Sequence, residues 1–141
     1  MSAPEETTVH SGGCFCGAVR YRLSHPLGDT AHCHCRMCQQ AVGAPVVTWT
    51  SVPIGAFAWT AGHPGEHRSS ERGLRSFCRE CGTSLTFRLD GDTVIDVTVA
   101  SLDDPEAAVP DRNIWTGSRL AWMHGFDRDL PDEMEENVKP T

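Results

Sequence analysis

Phe77-Cys78-Arg79-Glu80-Cys81-Gly82-Thr83 is a tight turn that carries two thiols. Two residues between the cysteines let both sulfurs point at one centre, and the glycine lets the backbone curl beneath it. That is the form of a zinc knuckle. A knuckle supplies half of a tetrahedral site, so a second pair is needed. Cys14-Phe15-Cys16-Gly17, with its own trailing glycine, is the candidate partner. Both pairs sit between stretches that read as strands, and four thiolates would close a structural site.

Outward from these turns the chain reads as mostly β. Ala18-Val19-Arg20-Tyr21-Arg22-Leu23 and Ser84-Leu85-Thr86-Phe87-Arg88-Leu89 alternate apolar with polar residues, as half-buried strands do. Pro45-Val46-Val47-Thr48-Trp49-Thr50 and Ala56-Phe57-Ala58-Trp59-Thr60 are rich in β-branched or aromatic residues. Asp90-Gly91-Asp92 is a turn signal, and Thr93-Val94-Ile95-Asp96-Val97-Thr98-Val99 returns from it, so residues 84–99 are predicted to form a hairpin. By the same alternation Asp96 is expected to face solvent. Helix signals are weak. One or two turns are predicted from Cys35 to Val42, ended by Gly43 and Pro45, and a short turn is predicted with Pro105 at its first position. The fold class these signals predict is mostly β, with few short helical turns.

The chain has 141 residues, which suits one domain with a modest core. Hydrophobic residues make up 39%, and mean hydropathy is -0.33, so a metal staple would help it fold. The formal charge of -7 argues against general binding to a phosphate backbone, so no nucleic-acid partner is expected. The first residues, MSAPEETTVHSGG, lack the basic and apolar regions of a signal peptide, and no apolar run reaches the length of a membrane span. No membrane partner is expected, and the expected compartment is the reducing cytoplasm. There, clustered cysteines bind metal more often than they form disulfides. The organisation read from composition is a flexible N-terminus at 1–8, a zinc-binding domain at 9–131 and an acidic flexible tail at 132–141.

Of seven cysteines, three remain: Cys33, Cys35 and Cys38 in Cys33-His34-Cys35-Arg36-Met37-Cys38. One reading gives them a second zinc with an open coordination position, the arrangement of a catalytic site. The other gives a single closed zinc drawn from any four cysteines, with idle thiols left over. His34 lies between two ligand candidates, and its side chain should point away from theirs. A fourth ligand, a proton carrier and a structural hydrogen-bond donor are its possible roles, with spacing against the first.

These residues, in order, resemble the glutathione-dependent formaldehyde-activating enzyme family, whose Mss4-like fold implies small antiparallel sheets around cysteine-ligated zinc. Gly12-Gly13-Cys14-Phe15-Cys16-Gly17-Ala18-Val19-Arg20-Tyr21 is similar to its opening motif, Cys33-His34-Cys35-Arg36-Met37-Cys38-Gln39 to its central motif, and Phe77 to Thr83 to its knuckle. Ala100-Ser101-Leu102-Asp103-Asp104-Pro105 and Ile114-Trp115-Thr116-Gly117-Ser118-Arg119-Leu120-Ala121-Trp122 add to the likeness. The resemblance implies that Cys14, Cys16, Cys78 and Cys81 hold structural zinc, and that Cys33, Cys35 and Cys38 hold catalytic zinc. It also implies a carbon–sulfur lyase acting on a small-molecule thiol such as glutathione and an aldehyde such as formaldehyde. The thiol would ionise at the open position and add to the carbonyl. A carrier of glutathione or another thiol without turnover, and a structural zinc module that binds a protein partner, are the alternatives. Neither the oligomeric state nor the substrate pair is legible.

Glutathione carries two carboxylates, so cationic partners are expected. Arg36, Arg72, Arg75 and Arg79 lie near the cysteine motifs, although each alone reads first as a solvent-facing arginine. Trp49 and Trp59 read first as core, and Trp115 and Trp122 as a rim or as packing for the last segment. His63 and His67, in a loop rich in glycine and proline, read as exposed.

Overall fold

A computed structural model describes residues 8–126, 128 and 130–134. Residues 1–7 and 135–141 of the proposed flexible ends lie outside them. Ten strands and one helix follow in chain order: β1 His10–Gly13, β2 Arg20–Leu23, β3 Thr30–Cys33, α1 Arg36–Val42, β4 Val47–Pro53, β5 Phe57–Ala61, β6 Gly65–Arg68, β7 Gly73–Phe77, β8 Ser84–Leu89, β9 Val94–Thr98 and β10 Asn113–Ile114. Short 3₁₀ turns include Val99–Ser101 and Pro105–Ala107, the latter with the predicted proline at its start. Among the described residues no helix is long and apolar enough to cross a membrane.

The strands make two sheets. One is three-stranded, in the order β1-β2-β5. The other has seven strands, in the order β10-β3-β4-β9-β8-β7-β6. The predicted hairpin is β8 and β9, paired at Thr86–Val97 and Phe87–Asp96, and Gly91 turns it at a φ of 78°. The expectation of antiparallel sheets needs one correction. β10 runs parallel to β3, because the chain returns through a long excursion before laying Asn113 beside His32.

Alternation gives the larger sheet two apolar faces rather than one. Val52, Ile95 and Val97 turn toward Tyr21 and Leu23 of the smaller sheet and form the main core with Val19, Leu85 and Leu102. Tyr21 stacks on Phe57 at 5.6 Å between ring centroids, and Phe57 meets Trp59 edge-on at 4.7 Å, so Trp59 packs half-buried against the core. The opposite face carries a second cluster: Cys33, Cys38, Val47 and Trp49, with Phe87 and Ile114 against it.

Tyr21 also closes the first layer on its polar side. Its hydroxyl meets Ser101 Oγ at 2.7 Å, and β1 passes so close that a Cβ on Gly12 would strike Tyr21 Oη and lie 2.6 Å from the Ser101 carbonyl oxygen. Gly12→Ala is therefore expected to destabilise the fold by about 1–3 kcal/mol, as overpacking does. A lower midpoint in urea with unchanged slope would register it; an unchanged midpoint would mean that β1 yields at no cost.

Candidate functional site

The two cysteine turns meet at one end of the main core. Cys14 N–H donates to the Val19 carbonyl and Cys78 N–H to the Thr83 carbonyl, which ties each turn to its flanking strand. Gly17 and Gly82 follow at φ of 80° and 83°, the left-handed region that glycine enters without strain. The loops then bring the sulfurs of Cys14, Cys16, Cys78 and Cys81 within 4.8 Å of one another. Cys14–Cys16 is 3.6 Å and Cys16–Cys78 is 3.7 Å. A zinc–sulfur bond of about 2.3 Å sets the edge of a tetrahedron of sulfurs at about 3.8 Å, so the group has the dimensions of a metal site.

Its electrostatics agree. Burial works against the Cys14 thiolate, but the Val19 N–H, 3.2 Å from its Sγ, favours it, and the Glu80 N–H donates to Cys78 Sγ at 3.4 Å. The Thr83 hydroxyl, 3.2 Å from Cys81 Sγ, leads the groups that hold that thiol down to about 5. The Ala18 N–H favours the Cys16 thiolate, but the Cys14, Cys78 and Cys81 sulfurs and burial together push Cys16 up to about 12. Four anions this close cannot all ionise alone, and a soft dication is the counter-charge the donor set fits.

The remaining cysteines lie on the second face. Cys33 ends β3, and the following residues turn into α1, with Cys35 as its N-cap and Cys38 on its first turn. The helix ends at Gly43 in the left-handed conformation, as its sequence predicts. Cys33, Cys35 and Cys38 line one cleft of about 440 Å³. Among the described residues the four-thiol group is the one set of three or more His, Cys, Asp or Glu side chains whose ligand atoms all come within 4.8 Å, so this triplet is looser. Its donors are still the soft set that zinc takes. Cys38 is held down to about 5, first by the Cys33 thiol and then by the Arg75 guanidinium, whose Nη2 lies 3.5 Å from Cys38 Sγ. Cys33 moves up in turn, first through Cys38 and then through burial.

The sheet register explains who else reaches the cleft. Residues paired across neighbouring strands point to the same face. Arg75 pairs with Phe87, Phe87 with Asp96, and Asp96 with Ser51, giving one row across β7, β8, β9 and β4. Trp49, two residues before Ser51, pairs with Ala31, two residues before Cys33. All seven of these residues line the cleft. Trp115 stands at its mouth, 68% exposed and at a φ of 55°, the one non-glycine residue in the left-handed region among those described.

Several expectations sort themselves here. Arg36, Arg72 and Arg79 are exposed, as single arginines usually are. Arg75 departs from that expectation. It is buried, bonded through Nε to Ser69 Oγ at 3.0 Å, and lies 4.7 Å over the Phe87 ring. Asp96 also departs from it. The alternation is obeyed, but its face is the cleft floor rather than solvent. His34 points away from its cysteine neighbours, as spacing predicts. Its Nε2 meets Asn113 Oδ1 at 2.9 Å, while among the described residues its buried Nδ1 has no hydrogen-bond partner. Together with His32, Arg119 and His124 it lines a separate hollow of about 350 Å³. Trp122 is exposed on another hollow rather than packed inside, and His63 and His67 are exposed as read.

A mostly β fold with one tight thiol tetrad, and three more thiols in a cleft, defines the class. A family model described as "Glutathione-dependent formaldehyde-activating enzyme" matches residues 9–118, and the chain belongs to that family. It is similar to an uncharacterized lyase of Schizosaccharomyces pombe, at 29% identity over 85 residues that cover 55% of this chain. The match spans 56% of that relative's length. The fold is similar to a crystal structure of a Rhodobacter sphaeroides protein, with a TM-score of 0.59 and 21% identity over 73% of this chain and 98% of that one.

Proposed function

We propose that the chain is a zinc-dependent carbon–sulfur lyase that makes and breaks thiol–aldehyde adducts of the S-hydroxymethylglutathione kind. The observation that carries this reading is the cleft that gathers Cys33, Cys35 and Cys38 over a floor of Trp49 and Phe87. In this reading Cys14, Cys16, Cys78 and Cys81 hold a closed structural zinc. Cys33, Cys35 and Cys38 hold a second with one position open. When bound there, zinc would supply the positive charge that ionises a substrate thiol.

The protein's own groups do the rest. Arg75 steadies the charge at Cys38 and keeps that side chain in place. The apolar walls exclude water and hold an aldehyde near the thiolate, which turns a bimolecular encounter into a local one. Trp115 narrows the entrance. Glutathione is the expected thiol, formaldehyde the expected aldehyde, and the cytoplasm the expected compartment. The lyase name of the yeast relative and the family match support the reading.

The test uses zinc-loaded protein with glutathione and ¹³C-labelled formaldehyde. Magnetisation transfer between the free hydrate and the adduct methylene reports the exchange rate. Acceleration in proportion to protein concentration is the expected result. Glutathione binding without acceleration would replace the lyase with a thiol carrier.

A further inference from the structure

Asp96 is an acidic side chain where the chemistry of the cleft calls for a proton carrier. Its position follows from β9, where Ile95 and Val97 are committed to the main core and Asp96 must take the other face. There it is paired with Phe87 on one side and Ser51 on the other. Ser51 Oγ donates to Asp96 Oδ1 at 2.5 Å, and among the described residues that is its one side-chain hydrogen bond. Among the described residues Oδ2 has no protein donor, and no arginine forms an ion pair with Asp96, although Arg75 and Arg112 line the same cleft. Arg112 is committed to Asp29 and Asp111, and Arg75 to Ser69 and Cys38.

We propose that Asp96 is the catalytic acid–base of the cleft, giving its proton to the aldehyde oxygen as the carbon–sulfur bond forms and taking it back as that bond breaks. The inference rests on the lyase reading above. In the forward direction a sulfur lone pair forms the C–S bond and the carbonyl π pair moves to oxygen. Oxygen takes the Asp96 proton, leaving an S-hydroxyalkyl thioether and an Asp96 carboxylate. In reverse the carboxylate removes the hydroxyl proton, and the C–S pair returns to sulfur. The substrate thiol releases a proton as it ionises, and that proton, passed to the Asp96 carboxylate after each addition, resets the acid; cleavage runs the same transfers backwards, so no further reactant is needed.

The surroundings suit that role. Burial is the largest influence on the Asp96 carboxyl and raises it above the ordinary carboxylate range; the Ser51 hydroxyl opposes the rise, and Asp29, Asp92 and Cys38 add to it. A carboxyl nearer to neutral protonates and deprotonates more readily at working pH. Ser51 holds one oxygen and orients the other.

Asp96→Asn keeps the size and the acceptor for Ser51 but cannot carry the proton. Zinc-loaded protein and variant are compared by the same magnetisation transfer with glutathione and formaldehyde across pH. Glutathione affinity and the ¹³C titration of the Asp96 carboxyl are measured alongside. The variant should exchange about 100-fold more slowly, within the usual range for a positioned acid–base. It should keep its affinity for glutathione and lose the ionisation from its pH profile. The carboxyl should titrate above about 3.9, and higher still in Ser51→Ala, because losing a donor to the charged form disfavours that form. Equal rates in Asp96→Asn and the unaltered protein would overturn the proposal and leave the lyase reading standing, as would a carboxyl that titrates at or below the ordinary value. No acceleration by the unaltered protein would overturn both.

Discussion

Cys78→Ser is expected to leave the chain largely unfolded. Cys78 is 1% exposed, belongs to both the thiol tetrad and the main core, and receives a hydrogen bond from Glu80 N–H at Sγ. Its backbone also anchors the knuckle through the Thr83 carbonyl and the Gly82 N–H. Removing one of four thiolates from a closed site leaves the metal weakly held. Structural zinc sites contribute about 10–16 kcal/mol in small peptides at neutral pH, against total stabilities of about 5–15 kcal/mol for ordinary domains. A loss of half of that contribution, about 5–8 kcal/mol, is as large as the whole stability of a marginal domain. Far-ultraviolet circular dichroism and a thermal scan measure it directly. A cooperative transition at the unaltered temperature would mean that the tetrad does not hold the fold together.

Cys35→Ser should do the opposite: stop the chemistry and spare the fold. Cys35 is half-buried and caps α1 without a side-chain hydrogen bond. Serine is a favoured residue at that position, and its side chain can satisfy one of the free N–H groups of the first turn. Such caps are worth about 0.5–2 kcal/mol, so the melting temperature should hold or rise. The proposed open site, however, would lose one of three soft donors, and a hydroxyl is a poor substitute for a thiolate toward zinc. Thiol–aldehyde exchange should fall at least about 100-fold, the range in which a lost positioned group is felt. The contrast between the two substitutions carries the argument. Cys78 and Cys35 are both cysteines in short Cys-x-x or Cys-x-Cys runs, yet one should cost stability and the other activity.

The two cysteine turns were legible because their spacing is local. Two thiols a few residues apart, followed by glycine, have few ways to fold, and Gly17 and Gly82 adopt the left-handed backbone that this requires. The β8–β9 hairpin was legible for the same reason, since its turn residues and its alternation sit side by side. Even α1, though short, announced its end at Gly43. Besides the short strands β1, β3, β6 and β7, what escaped was whatever depends on the second face of the large sheet. Alternation distinguishes Asp96 from Ile95 and Val97, but it cannot say whether the other side is water or a cleft. Arg75 escaped for the same reason: it is buried only because Phe87, Cys38 and Ser69 arrive from β8, α1 and the β6–β7 loop. A pair of polar residues, Ser51 and Asp96, placed opposite each other across β4 and β9 was a signal available in principle. It becomes readable only once the strand register is known. The parallel strand β10 escaped too, because a two-residue strand leaves no periodic trace.

Two metal sites with different duties, one closed and one open, are expected to share this chain. Zinc per chain, measured by elemental analysis on unaltered protein and on Cys35→Ser after equilibration with zinc and removal of the excess, tests it most directly. The account predicts two zinc ions in the first and one in the second, with the fold intact in both. One zinc in each would contradict it, and would leave Cys33, Cys35 and Cys38 as thiols in a cleft with no metal to serve.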